Sequence, residues 1–264
     1  MLNVWKVESM RKVLKYVIYD VFRSKMLIGY TLLLFAMCSG MYYLGSGDSK
    51  TTVSLLHIVL LVVPLISIIF GTIHYYNSRE FIELLMAQPI RRRRILLGEY
   101  FGITFSLSVA LLIGLGVPIA LWDFSESSLI LLLVGVLLTF IFTALAFLAS
   151  VRSADKARGI GSALLLWFYF SVIYDALVLW LLSSFSDYPL EKPVLILTAF
   201  NPIDLGRVMV LLKLDTSALM GYTGALYLDF FGSGAGILYS LALLLVWLIL
   251  PLIFSVKIFA KKDM

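Results

Sequence analysis

Six long apolar runs determine what this chain can fold into. Each approaches or exceeds the ~20 residues that a helix needs to cross the hydrocarbon core of a bilayer. The chain has 264 residues, 61% of them hydrophobic, whereas a soluble domain has an apolar share of about half. We therefore expect one all-α integral membrane domain over residues 1–264. The predicted transmembrane helices are Met26–Leu44, Leu55–Tyr75, Ile95–Trp122, Leu129–Val151, Ile160–Leu182 and Ile237–Phe259.

The Lys and Arg residues gather in alternate connections between these runs. Seventeen lie in the amino-terminal segment, the second and fourth connections and the carboxyl-terminal tail, against four in the other three connections. Basic loops stay on the cytoplasmic side of a membrane. This pattern predicts a multi-pass protein of a bacterial inner membrane with both termini cytoplasmic. Because the net charge of +5 follows the loops, it does not indicate a nucleic-acid partner.

The segment 1–25 has apolar residues at helical spacing with charged residues opposite them. This pattern predicts a helix lying flat on the cytoplasmic leaflet, its apolar face in the lipid boundary. The residues of that predicted face are Met10, Val13, Leu14, Val17, Ile18, Val21 and Phe22.

The connection 79–94 reads REFIELLMAQPIRRRR and leads into ILLGEY. Its first half predicts a short helix, Glu80–Ala87, which Pro89 ends because the residue before a proline is pushed out of the α region. Arg91 to Arg94 follow and are predicted to lie at the headgroup phosphates of the membrane surface. The predicted apolar face holds Phe81, Leu84 and Leu85, with Glu80 and Glu83 beside them.

These residues resemble the loop between the second and third spans of ABC-2-type transporter permeases. The resemblance implies the type V ABC transporter fold, with an interfacial first helix, a cytoplasmic coupling helix and extracellular re-entrant helices before the last span. It also implies that the short helix lies in a cleft of a separate ATPase subunit. The alternative is an amphipathic helix that only rests on the bilayer. The implied ATPase-coupling residues are Glu80, Phe81, Glu83, Leu84, Leu85, Gln88 and Pro89.

The segment 183–236 is the one long outer connection, and it contains apolar stretches. Asn201-Pro202-Ile203-Asp204 is typical of a helix start, with Asn as N-cap and Pro in the first position. An apolar stripe follows, so we expect a pair of short helices that dip partly into the outer leaflet. The predicted stripe consists of Leu205, Val208, Met209 and Leu212.

The stretch AFNPIDLGRVMVLLKL is similar to that of the ABC-2 permeases that serve maturation of the copper sites of nitrous oxide reductase. That resemblance implies cytoplasmic ABC ATPase subunits and a periplasmic copper-handling partner, which would meet Asn201, Pro202, Asp204 and Arg207. Because an ABC ATPase normally works as a pair, we expect a homodimer of this chain. The alternative is a general ABC-2 exporter for a drug, lipid or glycan. A membrane enzyme would need several intramembrane polar residues, which we do not find, and an anchor for a cytoplasmic complex is a further alternative.

Asp175 is interpreted as the one clearly intramembrane charge, in the fifth run. Such a residue is costly and faces the bundle interior or a cavity, with Tyr174 or a neighbouring helix as its partner. Two interpretations stay open. Asp175 is a gating or substrate-path residue, or its protonated carboxyl makes an interhelical hydrogen bond.

The sequence predicts no catalytic residues and no metal ligands. The Walker A pattern is absent, and so are the hydrolase and zinc-protease patterns. ATP and Mg are therefore expected on a partner ATPase, with no cofactor in this chain. Met37, Cys38 and Met41 could pass Cu(I) along, but such residues more often pack against neighbouring helices. His57 and His74 lie too far apart along one helix to share a metal, and we expect them to make hydrogen bonds.

Overall fold

A computed structural model describes residues 2–45, 48–88, 90–185, 191–214 and 221–261. In these ranges the chain is helical apart from short connections. The helices are α1 (Leu2–Phe22), α2 (Lys25–Leu44), α3 (Asp48–Asn77), α4 (Arg79–Met86), α5 (Arg92–Leu111), α6 (Val117–Trp122), α7 (Glu126–Arg152), α8 (Lys156–Phe168), α9 (Tyr174–Ser184), α10 (Glu191–Ala199), α11 (Pro202–Leu211) and α12 (Gly221–Lys261).

Six helical stretches of the described chain are long and apolar enough to cross a membrane, and they confirm the six predicted runs. We number them spans one to six in chain order. Two of them contain a π-helical turn, Leu112–Gly116 between α5 and α6 and Tyr169–Ile173 between α8 and α9. The spans are Lys25–Leu44, Thr51–Asn77, Arg92–Trp122, Glu126–Arg152, Lys156–Ser184 and Gly234–Lys261.

Spans two, three and four form the centre of the bundle. In the most apolar stretch of each of these three spans, 50%, 61% and 67% of the residues are buried inside the chain. The corresponding shares in spans one, five and six are 22%, 11% and 17%. Small residues permit the central contacts. A Cβ added to Gly71 of α3 would lie 3.0 Å from that of Ala146 in α7. Close backbone approach of this kind is how membrane helices gain packing energy without a hydrophobic driving force. Spans one, five and six therefore keep wide apolar faces outside this core.

The π-helical turn in span three precedes a proline. Pro118 has no backbone N–H, and in a regular helix its ring would clash with the carbonyl of residue i−4, which is Gly114. A wider turn at Leu112–Gly116 relieves that clash within a continuous span.

Helix α1 packs on protein along the side that was predicted to face lipid. Val13, Val17 and Val21 are almost fully buried. Gly98 and Gly102 of α5 make this possible, since a Cβ on Gly102 would lie 2.6 Å from Cγ1 of Val17. The prediction of a lipid-facing side is therefore wrong for these three valines. Tyr16 and Tyr19 of the same helix are exposed instead.

Polar contacts define two ends of the bundle. At one end, which we call the basic end, Arg79 donates from Nη1 to the carbonyl of Ala154, and Lys156 donates from Nζ to Oδ1 of Asn77. At the opposite end, Ser128 donates to Oδ2 of Asp123 over 2.7 Å. The connections rich in Lys and Arg thus meet at one end, as the predicted topology requires.

Helices α10 and α11 lie in the outer connection, in agreement with the predicted pair of short helices. Asn201 caps α11, because its Oδ1 accepts a hydrogen bond from the backbone N–H of Ile203 at 3.0 Å. Helix α11 packs on α7 and α12, and a Cβ on Gly206 would lie 2.8 Å from Cγ1 of Val134. The whole predicted apolar stripe is buried against the spans, namely Leu205, Val208, Met209 and Leu212.

Candidate functional site

Helix α4 lies at the basic end, between the second and third spans. It covers Arg79–Met86 and ends before Pro89, which lies outside the described residues. Ile82 is 1% exposed and Leu85 is 9% exposed, whereas Leu84 is 69% exposed. One side of the helix is therefore fixed in the core of this chain, and the other side is open.

The exposed side of α4 differs from the apolar face that the sequence predicted. Leu85 packs inside the chain, and Phe81 is half-buried with its ring stacked on Tyr16 of α1 at a centroid distance of 4.5 Å. Successive helical residues are about 100° apart, so burial of Ile82 turns the inward side away from Leu84. The prediction that Leu85 faces a partner is wrong in this arrangement. Exposed beside Leu84 are Glu80, Glu83 and Gln88.

Arg79 makes one hydrogen bond within α4 and one to another connection of the chain. Its Nε donates to Oε1 of Glu83 over 3.0 Å, a pair with both side chains about half exposed. Its Nη1 donates to the carbonyl of Ala154, in the connection between spans four and five. An exposed pair of this kind contributes little to stability. The contact to Ala154 has more consequence, because it ties the short helix to a second pair of spans.

A buried acidic residue that was not among the predicted site residues lies close to α4. Glu99 of span three is 1% exposed, and its Oε2 lies 3.1 Å from Nε2 of His74 in span two. The same nitrogen lies 3.0 Å from Oγ of Ser78, which precedes α4. Among the described residues, Oε1 of Glu99 has no hydrogen-bond partner. Asp175 is therefore not the one charge within the spans, and the prediction of hydrogen bonding for His74 is confirmed.

The four arginines follow α4 at the start of span three. Arg91, Arg92 and Arg93 are exposed and Arg94 is half-buried. Arg91 caps α5 with extended backbone. Their predicted contact with headgroup phosphates stays a prediction.

The second cluster of charges joins span five to α11. Nη2 of Arg207 donates to Oδ2 of Asp175 over 2.9 Å, and Nη1 donates to Oδ1 of Asp204 over 2.7 Å. Asn201 completes the cluster, because its Nδ2 donates to Oδ2 of Asp204 and to the carbonyl of Phe170, each over 3.0 Å. Burial raises the pKa of Asp204 to about 7, against the opposing effect of the Arg207 guanidinium.

This cluster changes two interpretations from the sequence. The partner of Asp175 is Arg207, and the Tyr174 hydroxyl instead donates to the carbonyl of Leu197. Asn201, Pro202 and Asp204 are buried, so they do not form an open surface for a periplasmic partner in this arrangement. Asn201 and Arg207 instead join α11 to span five through Phe170 and Asp175. Asp175 and Arg207, which are 32 positions apart in sequence, therefore belong to one hydrogen-bonded network.

The residues considered for a metal differ in their surroundings. Cys38 is fully buried and its thiol points to the carbonyl of Leu115 at 4.0 Å, while Met37 is 40% exposed. His57 is exposed in span two. Within the described ranges, no group of three or more His, Cys, Asp or Glu residues is placed to hold a metal ion. Packing is the role that the geometry supports for Cys38.

Comparison with known proteins decides the family. The profile of the ABC-2 family transporter proteins matches residues 12–264. The chain belongs to this family. The resemblance seen in the sequence is therefore confirmed, and so is the all-α fold with six spans. Family membership makes the chain a permease-type membrane subunit of an ABC transporter, a kind of protein that works with ATPase partners.

Two curated relatives of the ABC-2 protein carry a more specific name. One is the probable ABC transporter permease protein NosY of Pseudomonas aeruginosa, which is 28% identical over 223 residues, covering 76% of this chain and 81% of the relative. The other is the protein of the same name from Stutzerimonas stutzeri, which is 29% identical over 217 residues, covering 72% of this chain and 76% of the relative. The similarity extends along most of both chains.

Proposed function

We propose that this chain is the permease subunit of an ATP-driven transporter of the NosDFY type, which matures the copper sites of nitrous oxide reductase. Its similarity to two proteins named NosY supports this assignment. The observation that carries the mechanism is the two-sided packing of α4, with Ile82 held inside the chain and Leu84 turned outward at the basic end. A helix of this kind can receive a displacement from a partner and pass it into the bundle.

The route into the membrane begins at the anchored side of α4. Ile82 and Leu85 pack into the same core that contains spans two, three and four. Ser78 contacts His74 of span two, and His74 contacts Glu99 of span three. Arg79 reaches the connection between spans four and five. A stroke on α4 is thereby transmitted to both sides of the bundle instead of swinging a free loop.

The outward side of α4 is the proposed contact with the ATPase. Leu84 supplies an apolar side chain, and burying one contributes roughly 1.5–3 kcal/mol. Glu80 and Glu83 lie on the exposed surface nearby, where charges set orientation and association rate more than affinity. ATP and Mg are bound by the ATPase subunits in this proposal, and the basic end faces the cytoplasm of a bacterial inner membrane. Gln88 is also exposed and belongs to the proposed contact.

An ABC ATPase works as a pair, and one α4 serves one ATPase subunit. We therefore infer a homodimer of this chain with two ATPase subunits. Spans one, five and six, with their largely unburied apolar faces, are the surfaces available for the dimer seam. On the opposite side of the membrane, the end of the bundle near α10 and α11 would receive a periplasmic copper-handling protein. The buried cluster around Arg207 would shape that surface without touching the partner.

A general ABC-2 exporter is the second candidate, and one cavity favours it. A mostly apolar groove of about 650 Å³ lies between spans four and five in the half of the bundle near the basic end. Its walls include Leu148, Leu165 and Ile173, and Arg152 lies at its edge. A groove with this lining suits an amphipathic or lipid-like substrate.

Affinity purification in mild detergent tests the proposal. The tagged chain is expressed in a nitrous-oxide-reducing bacterium, and the retained proteins are identified. We expect an ABC ATPase together with a periplasmic copper-handling protein. An ATPase without the periplasmic protein indicates the general exporter, and absence of any ATPase contradicts both candidates.

One substitution locates the contact on α4. Leu84→Asp buries an unpaired charge at the proposed interface and is expected to release the ATPase. Ala157→Asp is the matched control, because Ala157 is exposed in the first turn of α8 at the same end of the bundle. If Leu84→Asp protein is expressed normally and still binds a stimulated ATPase, α4 is not the coupling helix.

A further inference from the structure

A polar cavity of about 280 Å³ lies where α1 meets α2, beside the last turn of span two. It is separate from the outward side of α4. Two apolar side chains, Met26 and Phe70, form part of its wall, and Met26 is half exposed. Its polar lining consists of Asp20, Arg23, Ser24, His74, Asn77 and Ser78.

Several residues that line this cavity have hydrogen-bond donors. Ser24 accepts a bond from the backbone N–H of Met26, which leaves its hydroxyl proton to donate. Asn77 accepts from Lys156 through Oδ1, which leaves its Nδ2 group as a donor. The guanidinium of Arg23 lies 5.2 Å from the centre of the Tyr19 ring and supplies a positive charge at the rim. Such a set of donors suits a phosphate group.

The cavity also carries one negative charge close to the positive one. Asp20 and Arg23 are three residues apart at the end of α1, where the backbone N–H of Arg23 donates to the carbonyl of Asp20. A simple anion would be repelled by Asp20. A ligand that holds a phosphate and an ammonium a few bonds apart satisfies both side chains.

The surroundings indicate a lipid as the source of that ligand. The cavity opens at the junction between α1 and the first turn of span one, near the end of span two. Met26, which is half exposed in the first turn of span one, continues the wall on the side where an acyl chain would run. A soluble phosphate ester would gain nothing from that apolar wall.

We propose that this cavity binds the headgroup of a phospholipid with a primary amine, of the phosphatidylethanolamine class. Arg23, Ser24 and Asn77 contact the phosphate, and Asp20 accepts from the ammonium. A choline headgroup has no N–H to donate, so Asp20 discriminates against it. The site needs no ATPase, and its existence is independent of the proposed transport function.

The test compares lipids bound to the purified protein. The chain is incorporated into nanodiscs of phosphatidylcholine that contain small, equal amounts of phosphatidylethanolamine and phosphatidylglycerol, and retained lipids are counted by native mass spectrometry. We expect phosphatidylethanolamine to be enriched on the wild type. Asp20→Asn should abolish its preference over phosphatidylcholine. Arg23→Gln should weaken binding of every phospholipid about tenfold, because a hydrogen bond to a charged group is worth roughly that factor.

The control is Lys25→Gln, which removes an exposed cation at the same junction that does not line the cavity. It should leave lipid retention unchanged. Asp20 and Arg23 are both exposed, so their variants are expected to fold, and unchanged melting in detergent checks this. Equal enrichment in wild type, Asp20→Asn and Arg23→Gln overturns the proposal. Binding of free phosphoethanolamine as tight as binding of the lipid would show that the apolar wall contributes nothing, and would overturn the assignment to a membrane lipid.

Discussion

Nε2 of His74 lies 3.1 Å from Oε2 of Glu99 and joins span two to span three. Both side chains are at least nine-tenths buried, and Oγ of Ser78 contacts the same nitrogen. A buried pair of this kind is a weak source of stability, but breaking it by removing one partner is costly. Its position next to α4 gives it a role in passing motion between the two spans.

His74→Phe should destabilise the protein by about 3–5 kcal/mol, because it leaves Glu99 buried without its partner. The double variant His74→Phe/Glu99→Leu should recover most of that loss, since two apolar groups of similar size replace the pair. Thermal unfolding in detergent measures both effects. The double variant should nevertheless stimulate a bound ATPase less than the wild type. A double variant no more stable than His74→Phe would contradict this account.

Substitutions in the cluster around Arg207 should fall in a definite order. Arg207→Gln removes the cation shared by Asp175 and Asp204 and should cost about 1.5–3 kcal/mol or more. Asp175→Asn should cost less, because it weakens one of the two ion pairs of Arg207 and leaves the pair with Asp204 in place. Thermal unfolding gives the order directly. A larger loss from Asp175→Asn than from Arg207→Gln would show that the cation is not the centre of the network.

Gly102→Ala should separate α1 from α5. The added Cβ would lie 2.6 Å from Cγ1 of Val17, and overpacking of this kind costs about 1–3 kcal/mol. Val17→Ala in the same protein should restore part of the stability by making room. Gly161→Ala is the matched control, since no atom lies within 4 Å of its added Cβ. Equal melting temperatures for the Gly102→Ala and Gly161→Ala proteins would argue against a close α1–α5 contact.

Cysteine labelling tests the predicted topology. In a Cys38→Ala background, Phe124→Cys should react with an impermeant maleimide added outside the cells, because Phe124 is 75% exposed at the end opposite the basic end. Ala87→Cys, exposed directly after α4, should react only after the membrane is opened. Labelling of Ala87→Cys in intact cells would show that the protein has the opposite orientation in the membrane.

The spans were predictable because crossing a bilayer depends on the length and composition of a single stretch. The elements against which each helix face packs were not predictable. A valine such as Val13 or Val17 can face either lipid or protein, and its own sequence does not distinguish the two. Only Gly98 and Gly102, far along the chain, form the groove that accepts these side chains. Similarly, the burial of Ile82 orients Leu84 outward, but Ile82 was not part of the predicted apolar face of α4.

Charged residues within the bundle showed the same limit. Asp175 was recognised because it stands alone in an apolar run, but its partner Arg207 lies beyond the end of that run. Glu99 was overlooked as an intramembrane charge because it lies near the start of the predicted third span, close behind the four arginines. The helix, however, carries it away from the basic end until it is 1% exposed. Hydrophobicity predicts which segments enter the membrane. Contacts between residues far apart in sequence determine which charged side chains can be buried there.

The π-helical turn at Leu112–Gly116 alters how span three is built. Every fourth residue of this span faces the core, in the series Ile103, Leu107, Leu111, Leu115 and Ile119. In a regular helix each step of four residues overshoots a full turn by about 40°, so the series would spiral away from the neighbouring helices. The wide turn takes up one extra residue and resets the phase by roughly 100°. The wide turn thus accommodates one extra residue locally: deleting a single residue at this turn would leave a regular helix with Ile119 still facing the core, whereas the same deletion elsewhere between Ile103 and Ile119 would rotate Ile119 by roughly 100° relative to Ile103.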